Sequence, residues 1–283
     1  MKKSLLLIFL FFYSFSLFSN CGFSGIWVFP NGNEISKNSI FMIEGYGLSQ
    51  KVILNLDGKY PAYLQNENHI VKLKVETIHK GEYNLTQVIL KPEEILRAGE
   101  EYWLKIDSLN EGMSKIGSFK NHEIKWIVKN EMDNNKPSWS SEMRPKLISK
   151  TYKAYGCGPA IFANFRVKIN DASETLVKTE VVDLENNEKT IYYLNSKDEK
   201  INVGRSMCSG AFALKKNGKY KVRFDLLDAS GNSFGKWSEW TTIDNFQTKM
   251  GMFDFSKTNN LALQIGVLFF LIAIFFKRHS GKV

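Results

Sequence analysis

Between Cys21 and Asn260 the chain lacks any long run of apolar residues at helical spacing, which excludes a helical bundle as its main architecture. It also lacks the short signatures that organise common catalytic centres. There is no glycine-rich phosphate loop, no His-Glu-x-x-His pair and no Cys-x-x-Cys. Histidine is scarce. His69, His79 and His122 stand apart, without ligand spacing or a Met or Cys cluster, so they read as surface histidines. No metal site and no cofactor is expected. Ser206 and Ser209 flank Cys208 in "GRSMCSG", which reads as a cysteine in a loop of small residues. Paired carboxylates for glycoside hydrolysis stay open, because the fold and not the sequence sets their separation.

Charge of one sign is in excess, but it carries no functional clue. The formal net charge is +9, and removing the five basic residues Lys2, Lys3, Lys277, Arg278 and Lys282 leaves +4. A Lys-rich surface with so small an excess gives no support to nucleic-acid binding.

The two ends are topogenic. Lys2 and Lys3 precede an apolar run from Leu5 to Phe18, and the small Ser19 follows. This is the layout of a secretory signal peptide over residues 1–20, with a short N-terminal anchor as the alternative. At the other end Leu261 to Phe276 is uncharged. As a helix it is roughly 24 Å long, short for a bilayer core of about 30 Å. Lys277 and Arg278 can snorkel, and a basic tail after a span is the positive-inside pattern. The reading is a transmembrane helix over 261–276 with a cytoplasmic tail over 277–283. Retention as an anchor and removal as a sorting tag both stay open, though no Leu-Pro-x-Thr-Gly or Pro-Glu-Pro motif precedes it.

There are three cysteines, Cys21, Cys157 and Cys208. In an oxidising compartment a disulfide between Cys157 and Cys208 is expected, worth roughly 4 kcal/mol on the chain-entropy model. Cys21 is then the odd thiol. "LFSNC" vaguely resembles a lipobox, with Asn20 where a small residue belongs, so Cys21 is a candidate for lipidation.

Between the ends the pattern is that of strands. "IVKLKVETI" sets Val71, Leu73, Val75 and Thr77 against Lys72, Lys74 and Glu76, a period of two that calls for one buried face. "EYWLKI" alternates likewise, and "SIFMIEGY", "KVILNL", "TQVILKP" and "EIKWIV" complete a first set. "KPEEILRAGEE" reads as a brief helical turn. A polar, proline-bearing stretch over 131–145 reads as a linker, and a second set of strands runs from "KLISKTYKAY" to "KWSEWTTI". The expected organisation is two β-sandwich modules, 21–130 and 146–248, then a juxtamembrane linker over 249–260. Leu96, Gly99, Tyr102, Leu104 and Ile106 recur weakly as Leu214, Gly218, Tyr220, Val222 and Phe224.

"GKYKVRFDLLDASGNSFGKWSEWTT" resembles the last two strands of a fibronectin type III or related immunoglobulin-like module. Trp237-Ser238-Glu239-Trp240-Thr241 resembles the Trp-Ser-x-Trp-Ser signature of cytokine-receptor modules, with Thr in the last place. That resemblance implies a cation–π stack of Arg223 on Trp237 and Trp240. The start, "WVFPNGNEISKNSIFMIEGYG", resembles bacterial immunoglobulin-like domains. The likeness implies a fold and no activity.

The fold class is therefore all-β, two immunoglobulin-like modules plus a C-terminal transmembrane helix. The function expected is non-enzymatic adhesion, binding or scaffolding in the cell envelope, through a module face or the inter-module groove. Partners are the membrane and an envelope protein or glycan, with no nucleic acid. Trp103, out of phase with its buried neighbours, and Trp139, in the linker, are the candidate binding aromatics. The rival reading is an envelope hydrolase or metal-handling protein whose site assembles from scattered residues.

Overall fold

The computed structural model describes residues 21–119, 123–140, 144–156 and 158–246. The first half holds β1 (Gly25–Phe29), β2 (Glu34–Ile35), β3 (Phe41–Tyr46), the short helix α1 (Gln50–Ile53), β4 (Ala62–Gln65), β5 (Ile70–Lys80), β6 (Leu85–Pro92), β7 (Glu101–Ile106), β8 (Ile116–Gly117) and β9 (Lys125–Val128). Their order is β2-β9-β7-β4-β5-β6-β3-β1-β8. β5 is the hinge of that order. Residues 70–72 pair with β4, and residues 73–80 pair with β6, with a register shift between Val75 and Thr77. A bulged strand shared in this way lets a sheet turn a corner and face itself. Ile26, Phe41, Leu64, Val71, Val88, Tyr102 and Trp126, drawn from both arms of the order, share one core.

One local expectation fails in each direction. "KVILNL" forms no strand; Gln50–Ile53 is helical, and Val52, Ile53 and Leu56 are all buried. Spacing of one and four residues suits a helix face, and over so few residues a run of β-branched side chains does not separate the two states. The helix packs hard on β3. A Cβ at Gly45 would come within 3 Å of the Ile53 side chain and the Ser49 backbone. Conversely "KPEEILRAGEE" forms no helix, and its Leu96 is buried from an irregular segment.

The second half holds β10 (Ser138–Trp139), β11 (Lys146–Lys153), β12 (Ala160–Arg166), β13 (Ile169–Asn170), β14 (Thr175–Asp183), β15 (Lys189–Asn195), β16 (Lys200–Arg205), β17 (Tyr220–Asp228) and β18 (Thr241–Ile243). Three strands order as β11-β12-β16, four as β15-β14-β17-β18, and β10 pairs with β13. Phe165, Val177, Tyr192, Val203, Phe212, Val222 and Phe224 form its core. β10 falls inside the stretch read as linker, so that segment contributes a strand pair. β18 begins only at Thr241. The preceding "WSEW" runs beside β17 through Ser238, whose N–H donates to the Phe224 carbonyl (2.7 Å) and whose hydroxyl accepts from the Phe224 N–H (3.0 Å).

The halves are packed together. β3 and β6 are buried on both faces, the pattern of a strand between two layers. Phe41, Ile43, Val88 and Leu90 face the first core, whereas Met42 and Ile89 join Phe29, Ile40, Leu176, Tyr193 and Ala229 in a cluster shared by both halves. The groove expected between modules is thus filled by packed side chains. Gln87, fully buried, spans it. Its Oε1 accepts from the Tyr193 N–H (2.7 Å), and its Nε2 donates to the Tyr193 carbonyl (3.1 Å). Beside it the Tyr192 hydroxyl donates to Glu44 Oε2 (2.8 Å).

The cysteine pairing differs from expectation. Cys208 is bonded to Cys21, with Cα atoms 5.5 Å apart, and Cys157 lies outside the described residues. The turn between β5 and β6 decides this. Glu82 N–H donates to Ala211, Tyr83 pairs with Gly210, and Asn84 Nδ2 donates to the Cys208 carbonyl (3.0 Å). These bonds carry the Cys208 loop to the first half, where the Tyr46 hydroxyl holds the Cys21 carbonyl (3.1 Å). With its sulfur in a disulfide, Cys21 has no thiol for a lipid. Among the described residues no helix is long and apolar enough to cross a membrane. The signal peptide, the span over 261–276 and the tail lie outside them.

Candidate binding clefts

The arginine and two of the tryptophans singled out in the second half come together along β17. Lys178 on β14 and Arg223 and Lys221 on β17 project from one face of the sheet, and the "WSEW" segment lays its indoles between them. Arg223 Cζ lies 4.6 Å from the Trp237 ring centre and 4.4 Å from that of Trp240. Lys178 Nζ covers Trp237 at 5.4 Å, and Lys221 Nζ covers Trp240 at 4.7 Å. The order is Lys178, Trp237, Arg223, Trp240, Lys221. Arg223 is further held by buried Glu180, with Nε at 2.7 Å and Nη2 at 2.6 Å from Oε2, while Lys189 reaches the other oxygen at 2.7 Å. The alternation fastens an irregular segment to the sheet edge and leaves few free indole faces.

Trp139 opens a different feature. β10 seats its ring against the second core by pairing with Ile169. Trp139 lines a cleft of about 330 Å³ with Arg144, Phe234, Lys236, Trp237 and Glu239. Its indole Nε1 is buried and has no hydrogen-bond partner among the described residues. A buried donor without an acceptor is a costly arrangement in an otherwise satisfied protein. The cleft can take a group that supplies charge partners to Arg144 and Lys236.

Trp103 lies far from this in the fold, on the outward face of β7, where every second residue is buried. Its cross-strand neighbours are Gln65 on β4 and Lys125 on β9. A cleft of about 280 Å³ beside it is lined by Asn66, Glu67, Asn68, Glu100 and Glu101. The structure does not bring Trp103 and Trp139 into one site.

The sequence reading missed a carboxylate cluster at the junction of the halves. Asp133, Asp171 and Asp228 each place one carboxylate oxygen within 4.8 Å of the others. Asp171 and Asp228 both begin an Asp-Ala-Ser turn, and in each the carboxylate accepts the serine N–H (2.6 and 2.8 Å). The repeated tripeptide was the available signal. Burial pushes Asp171 above the usual carboxylate range, and the Asp133 charge adds to it. Burial does the same to Asp228, helped by Asp171 and opposed by hydrogen bonds from Asn232 and Ser230. These are the described residues whose donor set could hold a hard divalent cation.

The histidines separate. His69 pairs with Glu94 at 2.7 Å. His79 is not a surface histidine: it stands edge-on to Tyr193, ring centres 5.2 Å apart, with Nε2 buried and unpartnered among the described residues. Burial holds its imidazole below the usual histidine range, and the Lys178 charge lowers it further. His122 lies outside the described residues. Burial likewise pushes the Glu44 carboxyl up against the opposing hydrogen bonds of Tyr192 and Gln87, and pushes the Tyr193 phenol up to about 12.

No family model matches this chain, and no curated protein matches it. Solved structures match weakly. Pullulanase type I from Bacillus subtilis str. 168, complexed with maltose, is 8% identical with a TM-score of 0.23, over 81% of this chain and 27% of the pullulanase. A cytokine receptor complex is 9% identical with a TM-score of 0.24, over 78% of this chain and 96% of that one. The tandem Ig repeats of Dlar are 10% identical with a TM-score of 0.22, over 80% and 99%. The chain spans about a quarter of the pullulanase it matches.

Proposed function

We propose that this chain is an exported, non-enzymatic binding protein of the cell envelope, tethered by the apolar segment over 261–276, which engages a protein partner through the Trp139–Trp237 cleft. The observation that carries this reading is the cleft lined by Trp139, Arg144, Lys236 and Glu239, one of whose walls holds a buried indole N–H without an acceptor among the described residues. A carboxylate from a partner would pair with Arg144 and Lys236 there. Support comes also from the lock between the halves. The Cys21–Cys208 bond, the shared apolar cluster and the Gln87–Tyr193 pair hold two surfaces in one fixed relation, which suits presentation to a partner.

The test is site-specific photo-crosslinking in living cells, with the reactive residue placed at Glu239 on the cleft rim. A discrete adduct is expected, and it should disappear when Trp139→Ala is added. No adduct at Glu239, or the same adduct from a probe at exposed Lys74, overturns the reading. Tethering is tested separately: deleting residues 261–283 should release the protein from salt-washed membranes, and retention there excludes a single anchor.

A further inference from the structure

We propose that the Trp103 cleft binds a neutral saccharide. This site belongs to the first half and is independent of the Trp139 cleft. Three observations point to sugar. First, Trp103 is only half-buried, and it sits on the outward face of β7 while Tyr102 and Leu104 take the core. A partly open indole face offers a flat apolar platform to the C–H face of a pyranose ring.

Second, the polar groups around it converge at one edge. The turn from β4 to β5 is set by Asn66, whose Oδ1 accepts the Asn68 N–H (2.9 Å) and whose Nδ2 is hydrogen-bonded to Glu100. That turn places Asn66, Glu67 and Asn68 across the cleft from Glu100 and Glu101. Carboxylate acceptors beside an amide that both donates and accepts are the groups that bridge vicinal hydroxyls.

Third, the charge selects against other ligands. The lining holds three carboxylates and no cation, so phosphate, uronate and sulfate esters are repelled. Two of the carboxylates are already engaged. Glu100 accepts the Tyr102 hydroxyl (2.9 Å), and Glu101 pairs with Lys125 (2.9 Å). One aromatic ring with one uncommitted carboxylate, Glu67, is a poor cage for an ammonium group, and this favours hydroxyl recognition over a basic peptide. The cleft, about 280 Å³, falls just below the ~300–1,000 Å³ range of small-molecule sites, which suits a short stretch of glycan lying on the sheet.

The experiment is native affinity electrophoresis of the purified full chain in mild detergent. Gels contain a soluble β-glucan, a xylan, a galactomannan or polygalacturonate. Retardation in at least one neutral gel and none in polygalacturonate is expected. Trp103→Ala should raise the dissociation constant at least tenfold, whereas Trp139→Ala should leave it unchanged. Asn68→Ala, at an exposed turn position, should weaken binding severalfold with an unaltered melting temperature, and it decides the matter if Trp103→Ala folds poorly. The proposal is overturned by absence of retardation in every neutral gel. Equal retardation of wild type and both cleft variants overturns it too, as does Trp103-dependent binding to a lysine-rich peptide alone.

Discussion

At the scale of single residues, the interface between the halves rests on a few polar side chains in apolar surroundings. Gln87 answers both backbone groups of Tyr193, so Gln87→Leu leaves an N–H and a carbonyl buried without partners. A loss of about 2–4 kcal/mol is expected, read as a lower urea midpoint. His79 gives the interface a pH dependence. Its folded imidazole is held below its ordinary value, so the folded protein binds the proton less readily than the unfolded chain does. Its contribution is therefore complete above about pH 6.5 and declines as pH falls below that. The melting temperature should drop between pH 7.5 and 5.5, and the drop should shrink in His79→Phe. Glu44, Asp171 and Asp228 have the opposite sign. Their folded values are raised, so their contribution is complete below about pH 4 and lost as pH rises through those values.

At the scale of elements, the edge of the second half is closed by side chains where strand pairing stops. β18 contributes only three residues, and the segment before it is fixed to β17 by the Ser238 bonds and by Arg223 between two indoles. Arg223→Lys keeps the charge but loses the two-pronged contact with Glu180, itself 2% exposed, and the planar stack. It should cost about 1–2 kcal/mol, and tryptophan fluorescence should report freer indoles. The repeated glycine-then-tyrosine strand has physical content in both halves: Tyr102 and Tyr220 are each buried, and the Tyr220 hydroxyl accepts the N–H of Lys215, five residues upstream (2.9 Å). A buried tyrosine that ties a loop to the strand after it needs a turn just before it, so the motif is visible locally.

At the scale of the whole molecule, one covalent bond closes nearly the entire described chain. Cys21 and Cys208 are separated by 187 residues, and a loop of that size is worth about 5 kcal/mol on the chain-entropy model. Reduction, or Cys21→Ser, should lower the urea midpoint accordingly. Cys157→Ser should leave intact the two-hydrogen mass deficit that Cys21→Ser abolishes. A protein so closed should unfold in a single transition, because the shared cluster of Met42, Ile89, Leu176 and Tyr193 belongs to neither half alone.

What the sequence by itself determined is what depends on neighbours along the chain. Alternation in "IVKLKVETI" and "EYWLKI" specifies β5 and β7 because a strand has a period of two, and Trp103 is placed outward by the same rule. Tertiary structure decided whatever depends on which surfaces meet. α1 exists because β3 offers Gly45 to receive it. Cys208 chose Cys21 because the turn before β6 docks on the Cys208 loop, an event that no cysteine spacing encodes. The continuous apolar runs in β3 and β6 held the one local hint of burial on both faces, but their partner became defined only when Tyr192 and Tyr193 came to lie against them. The acidic triad likewise required the linker and two distant turns to converge: the repeated Asp-Ala-Ser tripeptide marked the two turns, but nothing local set them beside Asp133.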